Sequence, residues 1–251
     1  KVISNCGVGV DHIDLAAAHE RGIKVGNTPG VLAETVADIA FALLLSAARR
    51  LAEGVRYARS EAFKEVRHNT MLGRDAHHAT LGIVGMGNIG AQIAKRARGF
   101  DMQILYHNRS RRPDAEATYG AQFVTLDELL EESDYVMLMV PLTAKTRGLI
   151  NRDTLSKMKP TATLINMSRG PVVDTAALTE AMAAKQIYHA ALDVTEPEPL
   201  PRDHPLLSMD NVTITPHLGS ATVQTRSKMA EISTENLLRG LRGEALVHEV
   251  K

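Results

Sequence analysis

The chain has 251 residues, 44% hydrophobic and 23% charged, with Lys plus Arg and Asp plus Glu balanced at 29 each. A balanced charge excludes a global field drawing the protein toward nucleic acid or an anionic membrane, so charge-based recognition must be local. One cysteine, Cys6, excludes an internal disulfide or a cysteine metal cluster and fits a reducing, cytoplasmic setting; its simplest reading is a small buried hydrophobe.

Along the chain, "KVISN" and "GIKVGN" read as short strands flanking a helical "DLAAAHERG", a first βαβ fragment. No basic segment followed by an apolar one precedes them, so no signal peptide is expected, and the chain opens directly on an interior strand without an initiator Met. A long Ala-rich helix is expected from about Leu32 to Ser60. Its most apolar run, Ile39 to Ala48, is bounded by Asp38 and Arg49 and is far short of the ~20 residues that a membrane span needs. From Leu81 onward "LGIVG", "MQILYH", "DYVMLMV", "ATLIN", "YHAALDV" and "NVTIT" are strands. The helices between them are "GNIGAQIAKRARGF", "TLDELLEES", "NRDTLSKMK" and "DTAALTEAMAAKQ". This alternation predicts an α/β fold, a Rossmann-type doubly wound parallel sheet, whose ligands bind beyond the carboxyl ends of the strands. Those ends carry "GMGNIG", "NRSRR", "PLT", "MSRG", "TEPEP" and "PHLGSAT". A final helix, "SATVQTRSKMAEISTENLLRGLRG", could return to the first fragment. The expected division is a dinucleotide-binding domain over 31–219 and a second lobe from 1–30 together with 220–251.

In "GMGNIG", Gly85, Gly87 and Gly90 supply a tight turn, close backbone approach to a pyrophosphate and close helix packing. The helix beginning near Asn88 and Ile89 aims free N–H groups at the phosphates; the alternative is a purely structural turn. In such units the next strand usually ends in an acid that binds the ribose hydroxyls of NAD and repels the extra phosphate of NADP. Here "LYHNRSRRP" has none before Pro113. Arg109, Ser110 and Arg112 offer donors suited to a phosphate monoester, which makes NADP(H) the expected cofactor over NAD(H). The competing reading is a solvated basic turn, and it fits Arg111 best.

"NMSRGPVVD", "DVTEPEPLP" and "TPHLGSAT" place an Arg, a Glu and a His after successive strands, following the Gly-rich loop. In this order the motifs resemble the D-2-hydroxyacid dehydrogenase family over essentially the whole chain. The resemblance implies that Arg169 binds substrate, that Glu198, five residues after Asp193, is the acid, and that His217 is the catalytic histidine. An imidazole titrating near neutrality can donate the proton in each turnover, with Glu198 favouring its charged form and Arg169 clamping the carboxylate and the developing oxyanion. Glu196 competes with Glu198 for the acid's place, and the family register favours Glu198. It further implies that Asp193 contacts the nicotinamide carboxamide, that Pro141, Met167 and Gly219 line the cofactor cleft, and that Val8 and Gly9 in "GVGVDHID" present N–H groups to the substrate carboxylate opposite Arg169. The other histidines lack such context and are expected on the surface or in the core.

Within the family, "GSATVQTRSKM", "LRGEAL", "DVTEPEPLPRDHPLL" and "NRSRR" most resemble the glyoxylate/hydroxypyruvate reductases. That implies NADPH-dependent reduction of small 2-keto acids, glyoxylate to glycolate and hydroxypyruvate to D-glycerate. It also implies a homodimer using residues 50 to 80, and no metal, nucleic-acid or membrane partner. Family members carry a further stretch, about a quarter of the full length, before the segment that "KVISN" resembles, so the second lobe is expected as an incomplete flavodoxin-like substrate lobe. Two other readings remain at this point: an inactive truncated dehydrogenase fragment, or an NAD(H)-sensing protein of the corepressor type.

Overall fold

The computed structural model describes residues 1–250. Its chain opens with β1 (Val2–Ser4), α1 (Leu15–Glu20) and β2 (Lys24–Gly26). Asp14 starts α1 by accepting the Ala17 N–H, and β1 and β2 pair in parallel with Ile3 opposite Val25. The chain divides into two units, Lys1–Thr35 with the segment from Ser220 onward, and Val36–Gly219. Thr35, in the first, has its hydroxyl 2.6 Å from that of Thr225.

The single helix expected over 32–60 is two, α2 (Ala33–Ala48) and α3 (Leu51–Ala58). The break is at Arg50, which takes a left-handed φ of 51° and turns its guanidinium onto the carboxylate of Glu53, with two nitrogens at 2.7 Å. The paired arginines mark where the apolar run ends: α2 buries eight residues and α3 buries none.

The larger unit continues through β3 (Thr80–Val84), α4 (Asn88–Arg98), β4 (Gln103–His107), α5 (Pro113–Tyr119), β5 (Gln122–Phe123), α6 (Leu126–Glu132) and β6 (Tyr135–Leu138). It ends with α7 (Arg152–Lys157), β7 (Thr163–Asn166), α8 (Thr175–Ala183), β8 (His189–Leu192) and β9 (Val212–Ile214). Local chemistry fixes several helix starts. Thr125 and Glu128 cap α6 reciprocally, Asn151 accepts from Asp153 and Thr154 at α7, and Asp174 accepts from Ala177 at α8. The sequence reading passed over α5, which is started by Pro113 and stopped by Gly120 at φ 68°, and the two-residue β5.

All seven strands run parallel, in the order β5-β4-β3-β6-β7-β8-β9. The chain winds outward from β3 to β5, then crosses back to β6 and winds the other way, so a switch point lies between β3 and β6. Every residue of β6, β7 and β8 is buried, as expected for a sheet covered by helices on both faces. The core gathers Leu129 and Leu130 of α6, Leu164 of β7, Leu178 and Met182 of α8 and Ala190 of β8.

One buried polar residue makes this core sensitive to acid. His189 is 4% exposed and its Nε2 lies 3.0 Å from the Thr213 hydroxyl. Burial, and secondarily the charge of Arg50, holds its pKa down from 6.5 to about 4. The unfolded chain therefore binds a proton near 6.5 that the folded chain refuses until about 4. Stability is intact above the higher value and is lost as pH falls toward the lower, by about 3 kcal/mol at the limit. Urea unfolding at neutral pH and at about pH 4.5 should show this loss, and His189→Gln should flatten it.

The smaller unit closes with α9 (Val223–Leu241) and β10 (Glu249–Val250), the latter antiparallel to β2 in the sheet order β1-β2-β10. The sequence reading did not foresee β10. It is held by Asn236, fully buried on α9, which donates to Asn27 O (3.1 Å) and accepts from the N–H groups of Val247 (2.9 Å) and His248 (3.2 Å).

Candidate active site

The turn after β3 admits no side chain at two of its glycines. Gly85 has φ 109°, and a Cβ there would lie 2.6 Å from Met139 O; one on Gly90 would lie 2.4 Å from Gly85 O. Nothing stands within 4 Å of the corresponding point on Gly87, the residue preceding α4. No side chain caps α4, so the leading N–H groups, those of Asn88 and Ile89 among them, are offered to that open side. The tip of β4 braces the loop: His107 O accepts the Gly85 N–H (3.0 Å) and Asn108 Oδ1 accepts the Met86 N–H (3.1 Å). The cradle fits a dinucleotide pyrophosphate.

Just beyond β4 the three arginines divide. Arg111 is bound to Glu116 through two nitrogens (3.0 and 2.7 Å) and lies over the Phe123 ring. Arg112 is paired with Asp114 (3.0 and 2.7 Å) and donates from Nη1 to Met86 O (2.9 Å), which ties it to the phosphate loop. Tyr106 locks the turn by donating to Glu116 (2.6 Å) and accepting the Arg112 N–H (2.7 Å). The Arg111 guanidinium, and then the Tyr106 hydroxyl, hold the Glu116 carboxyl below the usual carboxylate range, and Arg112 does the same for Asp114. Arg109 and Ser110 are exposed, and neither side chain has a hydrogen bond or ion pair among the described residues. Both acids stand in "PDAEA", which opens the next helix and is the sequence signal that sets the three arginines apart.

At the other strand tips, buried polar residues shape the turns. Asn166, ending β7, donates to Arg169 O (3.0 Å) and accepts from the Ser168 N–H (3.1 Å) and hydroxyl (2.9 Å). Arg169 follows, with Nη1 on Ser168 O (2.8 Å). Beyond β8, Glu198 Oε1 meets Nδ1 of His217 at 2.7 Å, while its Oε2 lies 3.3 Å from the Thr195 N–H. Glu196 contributes its carbonyl instead, to the Thr175 hydroxyl (2.9 Å).

His217 has φ 54°, an uncommon conformation for a residue with a side chain, and it is enforced from several sides. Its N–H donates to Asp193 O and Thr215 O, both at 3.0 Å. The Asp193 carboxylate, 2% exposed, accepts the Thr215 hydroxyl (2.6 Å) and the N–H groups of Leu218 (2.7 Å) and Gly219 (2.8 Å). The sequence reading had not foreseen that Asp193 shapes the histidine turn. Met167 and Gly219 are buried and Pro141 is exposed, all three just past strand ends.

In the smaller unit, Val8 and Gly9 lie in the turn after β1, and their N–H groups have no acceptor among the described residues. Cys6 lies in the same turn and is exposed, which corrects the expectation of a buried residue: it follows β1, a strand that is itself only half-buried.

Residues 41–219 match the family model described as D-isomer specific 2-hydroxyacid dehydrogenase, NAD binding domain. The chain is 52% identical over 245 residues to a glyoxylate reductase of Korarchaeum cryptofilum, covering 97% of this chain and 74% of that one. It is 44% identical over 252 residues to the human glyoxylate reductase/hydroxypyruvate reductase, covering 100% and 77%. Among solved structures, an NADPH-dependent glyoxylate/hydroxypyruvate reductase from Sinorhizobium meliloti, in complex with NADP and malonate, superposes with a TM-score of 0.90 at 37% identity, covering 100% of this chain and 77% of that one. The phosphate cradle, the parallel sheet and these likenesses agree: this chain is a nicotinamide-dependent oxidoreductase belonging to the D-2-hydroxyacid dehydrogenase family.

Proposed function

We propose that the protein is an NADPH-dependent glyoxylate/hydroxypyruvate reductase, with Val36–Gly219 as its coenzyme domain and the smaller unit as part of its substrate domain. The observation that carries the chemistry is the 2.7 Å pair between Nδ1 of His217 and Glu198. When bound, the reduced nicotinamide supplies a hydride to the substrate's carbonyl carbon. His217 gives its Nε2 proton to the oxygen that becomes the hydroxyl, and Glu198 on the opposite nitrogen both fixes the ring and stabilises the imidazolium. The Arg169 guanidinium holds the carboxylate and carbonyl and lowers the energy of the developing negative charge. Asp193 keeps His217 in its left-handed turn and has acceptor capacity left on Oδ2 for the carboxamide.

The support for NADPH is the beta-strand tip without an acid on its ribose side, where Arg109 and Ser110 stand unpartnered. Support for a homodimer is the exposed apolar face of α3 and the segment after it, where Leu51, Val55, Phe63, Val66 and Leu72 all face solvent. The test is turnover by the full chain with NADPH and with NADH over glyoxylate, hydroxypyruvate, pyruvate and 2-ketobutyrate, with the sedimentation coefficient measured on the same sample. Preferential oxidation of NADPH by the first two substrates is expected. Equal rates with both coenzymes would defeat the NADPH assignment, and no turnover with any keto acid would defeat the reductase.

A further inference from the structure

The turn after β1 is held by side-chain amides in a way that determines where its backbone donors point. Asn5 follows β1 and Asn27 follows β2, and the two strand tips are joined by the Asn5 N–H on Gly26 O (2.8 Å). Gly7 O accepts from Asn5 Nδ2 (3.0 Å) and from the Thr28 N–H (3.0 Å). Val8 O accepts from Asn27 Nδ2 (3.0 Å), and Gly9 O accepts from Asn5 Nδ2 (2.9 Å). Three consecutive carbonyls are therefore drawn toward the two asparagines.

In a trans peptide the C=O and N–H bonds are antiparallel, so fixing the carbonyls also fixes the next three N–H groups, those of Val8, Gly9 and Val10, in the opposite sense. None of the three donates to an acceptor among the described residues. Successive unpaired N–H groups converging on one side form a concavity for an anion. All the groups that Asn5 and Asn27 meet are carbonyl oxygens, so only an amide nitrogen can serve; an aspartate, which accepts, cannot.

We propose that Asn5 and Asn27 are positioning residues that hold this turn as a nest for the substrate carboxylate. The inference rests on the reductase reading above and adds the groups that aim its backbone donors.

Asn27→Leu keeps the branched shape of the side chain, at a somewhat larger volume, and removes the donor. In the full chain it should raise the KM for glyoxylate about tenfold, the worth of one lost hydrogen bond to an anchored donor set, with kcat and the KM for NADPH within about twofold of the parent. Reduction of glycolaldehyde, which has the carbonyl but no carboxylate, should be unaffected. Oxalate, titrated calorimetrically in the presence of NADPH, should lose affinity by the same factor as glyoxylate. Asn5→Leu should act in the same direction from the β1 side, and it serves if Asn27→Leu fails to fold. An unchanged oxalate affinity in a folded variant, or an equal loss for glycolaldehyde and glyoxylate, overturns the proposal. A parent that reduces no keto acid, yet binds oxalate more tightly than the variants, would remove the reductase reading and leave the nest standing.

Discussion

His217→Gln is expected to lower kcat for glyoxylate reduction by two to four orders of magnitude, the usual worth of a positioned general acid, while NADPH binding followed by fluorescence stays within about twofold of the parent. The imidazole is presented by a strained turn on five backbone and side-chain bonds that a glutamine leaves in place, so the loss reports the proton and not the fold. Glu198→Gln separates the two parts of the pair. A neutral amide on Nδ1 no longer balances the charge that the ring carries while it donates, so kcat should fall, by less than in His217→Gln, with NADPH binding kept. Both side chains are nearly half exposed, at 49% and 43%, so solvent screening limits the loss to about tenfold. An unchanged kcat in Glu198→Gln would show that an amide orients the ring as well as the carboxylate does and that its charge is not used. An undiminished rate in His217→Gln would remove the histidine from the chemistry altogether.

The sequence was informative where one local rule acted alone. Alternating apolar runs and capped helices marked β3, β4 and β6 to β9, most plainly β6, β7 and β8, which are buried throughout, and the glycine spacing of 85, 87 and 90 stated its own steric requirement. It misled where the deciding partner lies outside the local window. The break at Arg50 looks like continuous helix until the loss of burial beyond Ala48 is visible, and β10 exists because Asn236, on another element, takes up the backbone before it. Motif order singled out Glu198 and His217, whose side chains meet at 2.7 Å. That Asp193 shapes the histidine turn was hidden, since its partners are a hydroxyl and two N–H groups more than twenty residues away.

The same distinction decides the coenzyme experiment. From sequence Arg111 stands apart while Arg109 and Arg112 look interchangeable, but their partners make all three unequal. Arg111 is occupied by Glu116 and Arg112 is shared between Asp114 and the carbonyl of Met86, so only Arg109 has its full set of donors available. Arg109→Ala should therefore raise the KM for NADPH by about 10- to 100-fold, the cost of one or two charge-assisted bonds to a phosphate, and leave the KM for NADH within about twofold. Arg112→Ala should behave differently: losing its bond to Met86 loosens the loop that both coenzymes use, so both Michaelis constants rise, NADPH more than NADH. Arg111→Ala should change neither appreciably, because that side chain braces α5 through Glu116. Steady-state kinetics of the three variants with both coenzymes reads this ranking directly. Equal losses for NADPH and NADH in Arg109→Ala would mean that the exposed guanidinium recognises no phosphate on the ribose. The missing acid at the tip of β4 would then permit NADP without selecting it.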